Sequence, residues 1–357
     1  MPNPTPDSVR NALSRFQDPE TGRSVVQLEQ IHRLTVDEDR IAVTLGLTTW
    51  SAPLWDETRA ELIQLLEKEF PGQQIAVDVA EHRRPAEKQG PLGVPAKSVI
   101  AVGAGKGGVG KSSIAALLAC GLARAGAKVG LMDADVYGPS IPHLFGTNEA
   151  PQILDERIQP IEIAGLKLLS MGLLIPPGEA VIWRGPMLHT ALTQFLRDTA
   201  WNDLDYLVID MPPGTGDVAI SLAQLLPLTG AVVVCTPQDV ALLDAVKAIA
   251  MFRKVNIKVL GMVENMSFFL CPNCSARHDI FGSGGAKRRA MELSVPFLGE
   301  VPLNTQLRVL ADEGRIAEAL DYEPARPYLD ALGHRLIRNM ADEHRRRPVL
   351  PTLSVLG

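Results

Sequence analysis

Apolar residues recur along this chain with two different periods, and a break between them divides it. Val9, Leu13 and Phe16 recur at helical spacing until Asp18-Pro19-Glu20-Thr21-Gly22 interrupts them. Ile41, Val43, Leu45 and Leu47 alternate with other residues, the pattern of a half-buried strand. Leu62, Ile63, Leu65, Leu66 and Phe70 form one helix face, which Pro71-Gly72 stops, and Ile75, Val77 and Val79 alternate again. The order helix, two strands, helix, strand predicts a small α+β accessory domain over residues 1–80. Residues 81–97 carry His82-Arg83-Arg84-Pro85 and Gly90-Pro91-Leu92-Gly93-Val94-Pro95, with few apolar positions, and read as a linker.

From Val99 onward short apolar runs alternate with helical patterns. Strands are expected at Val99–Val102, Val129–Met132, Leu166–Met171, Tyr206–Ile209, Ala231–Cys235, Val259–Val263 and Phe297–Val301. Helices are expected from Ser112 to about Ala125, from about Pro186 to Arg197, and from about Pro327 to Arg347, with a Pro-Pro-Gly turn at Pro176. Near-continuous apolar strands between helices predict an α/β fold, a mostly parallel, doubly wound sheet covered on both faces. The domain is placed at 98–347, with a loose tail at 348–357.

Composition narrows the class. The 357 residues are 46% hydrophobic and 21% charged, ordinary values for a soluble protein, and length allows two or three domains. A net charge of −6 argues against a surface that coats nucleic acid. No apolar run approaches the ~20 residues that cross a bilayer, and Met1-Pro2-Asn3-Pro4 is not the start of a secretory signal. Four cysteines make no disulfide framework. The expectation is a cytoplasmic protein with neither nucleic acid nor membrane as partner.

Three constellations carry chemistry. Gly105-Lys106-Gly107-Gly108-Val109-Gly110-Lys111-Ser112-Ser113 follows a strand and opens a helix, with the glycine, lysine and hydroxyl spacing of a phosphate loop. Its glycines let successive amides face one anion, Lys111 can reach the outer phosphates, and Ser112 can offer a hydroxyl to magnesium. Carboxylates stand at the ends of two later strands: Asp133 and Asp135 after one, Asp210 closing another, where ligands of doubly wound sheets bind. Asp210 fits a carboxylate that orients magnesium, and Met211-Pro212-Pro213-Gly214-Thr215-Gly216-Asp217 after it fits a loop that senses a γ-phosphate. Asp133 and Asp135, one residue apart, point to opposite sides, one to the metal and the other to the attacking water or the next loop. Finally, Cys271-Pro272-Asn273-Cys274 sets two thiolates where they can clasp one metal, whereas zinc and cubane iron–sulfur sites usually take four ligands. Cys120 and Cys235 read as buried apolar residues. A second copy of the chain would complete the site, and spacing alone does not separate zinc from an iron–sulfur cluster.

Together these motifs resemble a known family. The loop from Gly105 to Ser112, with its extra Lys106, looks like the deviant Walker A loop of MinD/ParA-type P-loop NTPases. Asp133-Ala134-Asp135-Val136-Tyr137-Gly138-Pro139-Ser140, Trp183-Arg184-Gly185-Pro186, the Asp210–Asp217 loop, Glu264-Asn265-Met266-Ser267 and the paired cysteines resemble the Mrp/ApbC branch, the iron–sulfur cluster carriers. The N-terminal unit resembles the small domain of iron–sulfur assembly factors, with Ala52-Pro53 where that domain commonly has a cysteine before proline. The resemblance implies a homodimeric ATPase that binds ATP and Mg2+ and bridges a [4Fe–4S] cluster between Cys271 and Cys274 of two subunits. It would receive the cluster from scaffold donors and pass it to apo-proteins. Lys106 would reach the partner's nucleotide, Lys111 and Ser112 would hold phosphates and magnesium with Asp133 and Asp210 as further magnesium ligands, and Asp135 would position water. Asn265 and the turn at Val301-Pro302-Leu303 would contact adenine. Two other readings of the same motifs are a ParA/MinD-type positioning ATPase and a zinc-bridged nucleotide-binding scaffold.

Overall fold

Parallel strands buried on both faces need helices on each side, and that is how the larger part of the chain is built. The structure, a computed structural model, describes residues 4–136, 138–174, 185–271, 274 and 276–346. It separates into two units: the described residues up to Arg84 with those from Ile337 onward, and Pro85–Leu336.

In the first unit α1 (Pro6–Leu13) starts at Thr5, whose hydroxyl accepts from Ser8 N in a capping box. β1 (Ile31–Val36) pairs antiparallel with β2 (Arg40–Leu47), and after α2 (Trp55–Glu69) β3 (Gln74–Glu81) pairs parallel with β2 on its other edge. The alternating Ile41, Val43, Leu45 and Leu47 form the buried face of the central strand and meet Val9, Leu13, Leu62 and Leu66. Asp18 is fully buried: it accepts from Thr21 N, Thr21 Oγ1 (2.8 Å) and Gln30 Nε2 (2.9 Å) and pairs with Arg84 (3.1 Å). This ties the interrupting turn to the sheet. Ala52, in a 3-10 turn over Thr49–Leu54, is half-buried.

The second unit opens with β4 (Ala96–Gly103), α3 (Lys111–Arg124) and β5 (Val129–Asp133). A short α4 (Ile141–Leu144), a hairpin of β6 (Ile153–Leu154) and β7 (Arg157–Ile158), and β8 (Ile161–Ile163) lead to β9 (Leu166–Ser170). Then α5 (Gly185–Arg197), β10 (Leu204–Asp210), α6 (Asp217–Leu225), β11 (Gly230–Cys235), α7 (Asp239–Lys254) and β12 (Val259–Glu264) alternate. A small hairpin of β13 (Phe269–Leu270) and β14 (Arg277–His278) precedes α8 (Gly285–Glu292), β15 (Phe297–Glu300), α9 (Thr305–Asp312) and α10 (Arg326–Arg346). Eight strands form one sheet in the order β15-β12-β11-β4-β10-β5-β9-β8, parallel throughout except for β8, an antiparallel edge on β9. The chain steps from β4 over to β5, and β10 later slots between them. Three strand ends therefore meet at one place.

The linker is shorter than its composition predicts. Val94 and Ala96 are fully buried, and Leu204 N donates to Pro95 O, so the strand begins before Val99. The larger domain also ends earlier than 347, because α10 finishes in the first unit: Arg345 pairs with Glu61 at 3.0 Å, and His344 stacks on Trp50. Tyr137, the turn at Pro176, Trp183, Arg184, Pro272, Asn273 and the tail from Pro348 lie outside the described residues. Among the described residues no helix is long and apolar enough to cross a membrane.

Candidate functional site

The carboxyl ends of β4, β5, β10 and β12 converge on the loop after β4. Gly108 and Gly110 adopt φ +80° and +79°, left-handed values that glycine enters without a Cβ clash, and Gly110 ends the loop as the cap of α3. Gly105 lets the loop lie against the Asp244 backbone of α7, where a Cβ would collide. Among the described residues nothing lies within 4 Å of a Cβ at Gly107 or Gly108. Gly214 N donates to Ala104 O (2.9 Å), which ties the loop after β10 to the phosphate loop.

Lys111, first residue of α3, is buried, and its Nζ meets two carboxylates: Asp210 Oδ1 at 2.5 Å and Asp135 Oδ2 at 3.5 Å. Asp210 lies opposite Val102 of β4 and Asp133 of β5, so strand register delivers it to the lysine. Burial raises the Asp210 carboxyl above its ordinary pKa despite the facing ammonium. Its Oδ2 is buried with no hydrogen-bond partner among the described residues, and Ser112 stands beside the same carboxylate. A buried carboxylate oxygen left unpaired is costly unless a further partner arrives. The donor set of Ser112 hydroxyl and Asp210 oxygen fits a hard divalent cation.

Asp133 and Asp135 meet different surroundings, and Asp133, expected as a magnesium ligand, has both oxygens taken by protein donors. Asp135 faces Lys111 and accepts from Gly138 N (3.3 Å). Asp133 is turned into the protein, and both its oxygens are engaged: Oδ1 by Asp135 N (3.0 Å), Oδ2 by Ser170 Oγ (3.0 Å) and Ile141 N (3.3 Å). Burial first, then the charge of Asp210, push its carboxyl up to about 7. In this arrangement Asp133 holds the loop that carries Asp135, and Asp210 keeps the oxygen open to a cation. Lys106 is half-buried and makes no ion pair with any described residue.

Asn265 follows β12 and donates from Nδ2 to Val109 O (2.9 Å), over Gly110. Val301 N donates to Glu264 O and Ser267 N to Val301 O, so Asn265 and buried Pro302 lie on adjoining strand ends. Glu264 is fully buried; it accepts from Ser267 Oγ (2.6 Å) and from Ala286 N (2.7 Å) at the start of α8, a negative charge at a positive helix end. Sequence reasoning missed its anchoring part, although a carboxylate closing an apolar strand is the signal it used for Asp210. Ser170 and Met266 carried no such signal.

Cys271 and Cys274 sit in the connection of the β13–β14 hairpin, where Cys271 N donates to Ala276 O (3.0 Å); Cys271 is half-buried and Cys274 exposed, and neither forms a disulfide. Cys120 and Cys235 are buried, and burial pushes both thiols up to about 12. Among the described residues no group of three or more His, Cys, Asp or Glu side chains is placed to hold a metal ion.

Known proteins match this chain over most of its length. Residues 95–336 match the ParA family described as NUBPL iron-transfer P-loop NTPase, and residues 6–79 match the family described as iron-sulfur cluster assembly protein. An iron-sulfur cluster carrier protein of Deinococcus radiodurans is 47% identical over 311 residues, 86% of this chain and 87% of that one. One from Escherichia coli K12 is 45% identical over 312 residues, 86% and 84% of the two chains. Among solved structures, a nucleotide-binding protein from Archaeoglobus fulgidus in complex with ADP superposes with a TM-score of 0.57 at 41% identity, over 63% of this chain and 89% of that one.

Proposed function

The chain belongs to the iron–sulfur cluster carrier proteins, P-loop NTPases of the ParA family with an N-terminal assembly domain, and from that premise we propose that it is a homodimeric ATPase whose subunits share a [4Fe–4S] cluster for delivery to apo-proteins. One observation carries this reading: a nucleotide loop with its carboxylates and an incomplete two-thiol site occur in one unit. Two thiolates from each of two chains supply the four that a cubane cluster takes. The ADP bound by the Archaeoglobus protein supports a purine nucleotide at the equivalent loop.

The residues imply a division of labour. Lys111 pairs with Asp210 and Asp135 at rest and exchanges them for phosphate oxygens when a nucleotide enters. That exchange leaves buried carboxylates beside a polyphosphate, which requires a further cation. Ser112 and the open oxygen of Asp210 would hold magnesium, which when bound neutralises charge on the β- and γ-phosphates. Asp135, held in place through Asp133, takes the proton side of an attacking water. Lys106, without an ion pair among the described residues, is free to reach the other subunit's nucleotide. Asn265 and Pro302 border the adenine side.

Anaerobic reconstitution with iron and sulfide tests the cargo. The expected result is one cluster per two chains, abolished in Cys271→Ala and in Cys274→Ala; uptake by both variants would overturn the shared site. Lys111→Ala is expected to lower nucleotide turnover by at least ~100-fold, the scale of removing one preorganised charge from a transition state, and full turnover would overturn the phosphate-loop assignment.

A further inference from the structure

The residues that touch the phosphate loop and those that carry the thiols are joined by a very short run of backbone. Asn265, 7% exposed, bonds Val109 O and fills the space over Gly110, and Cys271 follows in the same run. Nearly every residue between is fixed. Asn265 N donates to Cys235 O (2.8 Å), Ser267 N to Val301 O (2.9 Å), and Leu303 N to Phe268 O (2.7 Å). Phe268 is 1% exposed; the ring of Tyr328 meets its edge, and the Arg277 guanidinium lies 3.9 Å over its face. Arg277 belongs to β14, the second strand of the thiol hairpin, so the hairpin grips Phe268.

One residue in this run departs from ordinary backbone. Met266 has φ +53°, a left-handed conformation that a side chain enters only when its surroundings impose it. Its methyl lies 3.7 Å from where a Gly110 Cβ would stand. The peptide group supplies the remaining physics. Val109 C=O and Gly110 N–H belong to one rigid plane, so when Gly110 N–H turns toward a phosphate, Val109 O turns with it. Asn265 is bonded to that oxygen.

We infer that Asn265 and Met266 form a latch through which occupancy of the phosphate loop sets the position of the thiol hairpin within a single chain. This rests on the nucleotide-and-cluster reading above and adds a route to it. Asn265 is a positioning residue here: it acts on the thiols through Met266 and Phe268.

The test uses the reduced, iron-free full chain. Alkylation of Cys271 and Cys274 by iodoacetamide is timed by peptide mass spectrometry, without nucleotide and with magnesium–ADP. A fluorescent-nucleotide titration sets the saturating concentration for each protein. ADP is expected to change the wild-type rates about fivefold, at the lower end of allosteric couplings, and equally at two protein concentrations. In Asn265→Ala and in Met266→Gly, which accepts φ +53° without strain, the change should fall below about twofold. Unchanged wild-type rates in a chain that binds ADP would overturn the latch while leaving the nucleotide site standing. A full response in both variants, or one that depends on protein concentration, would overturn it too. A wild-type chain that binds no ADP would overturn latch and nucleotide reading together.

Discussion

Among the single residues the four cysteines show how environment sorts identical side chains. Burial holds Cys120 and Cys235 as thiols up to about pH 12, whereas Cys274 is exposed and Cys271 half-buried. The thiolate is the reactive form, and a raised pKa keeps the proton on. Iodoacetamide at pH 8 is therefore expected to label Cys271 and Cys274 in the native chain and to spare Cys120 and Cys235, as peptide mass spectrometry would read. Label on Cys235 before unfolding would contradict its burial. The carboxylates are sorted in the same way. Asp133, Asp135 and Asp210 look alike in sequence, yet one is spent on backbone and hydroxyl donors, one shares the lysine, and one keeps an oxygen that no described residue meets.

At the scale of elements, legibility followed burial. Strands β4, β5, β10, β11 and β12 are buried almost throughout, so each reads as a continuous apolar run. The hairpin that presents the thiols was not legible, because strands of two residues show no periodicity. The early start of β4 was hidden by Pro95, whose carbonyl nevertheless accepts from Leu204. The phosphate loop was legible because its glycines answer a backbone demand. Gly110→Ala places a Cβ in a left-handed residue and against the Asn265 amide. It is expected to weaken nucleotide binding by roughly 5- to 150-fold, since strain of this kind is on the order of 1–3 kcal/mol; a fluorescent-nucleotide titration measures it.

The whole molecule brings in a second chain. If Lys106 serves the partner's nucleotide while Lys111 serves its own, Lys106→Ala and Lys111→Ala should each be inactive alone. Mixed in equal amounts, they should recover about a quarter of wild-type turnover, because half the dimers are mixed and each has one complete site. Additive inactivity in that mixture, with subunit exchange shown by mass, would place Lys106 in its own subunit's site.

Sequence by itself determined what acts locally: the glycines where φ turns positive, the apolar runs of strands buried on both faces, the paired thiols and the breaks between elements. These need only a residue and its near neighbours, because sterics and burial act at short range. Tertiary structure decided which groups meet. Lys111 and Asp210 are 99 positions apart and touch because β10 inserts between β4 and β5. Val109 and Asn265 are 156 apart and touch because β12 ends beside the loop. No period or spacing encodes such pairings; strand order and register create them, and with them the division between the carboxylate that holds a loop and the one left open to a cation.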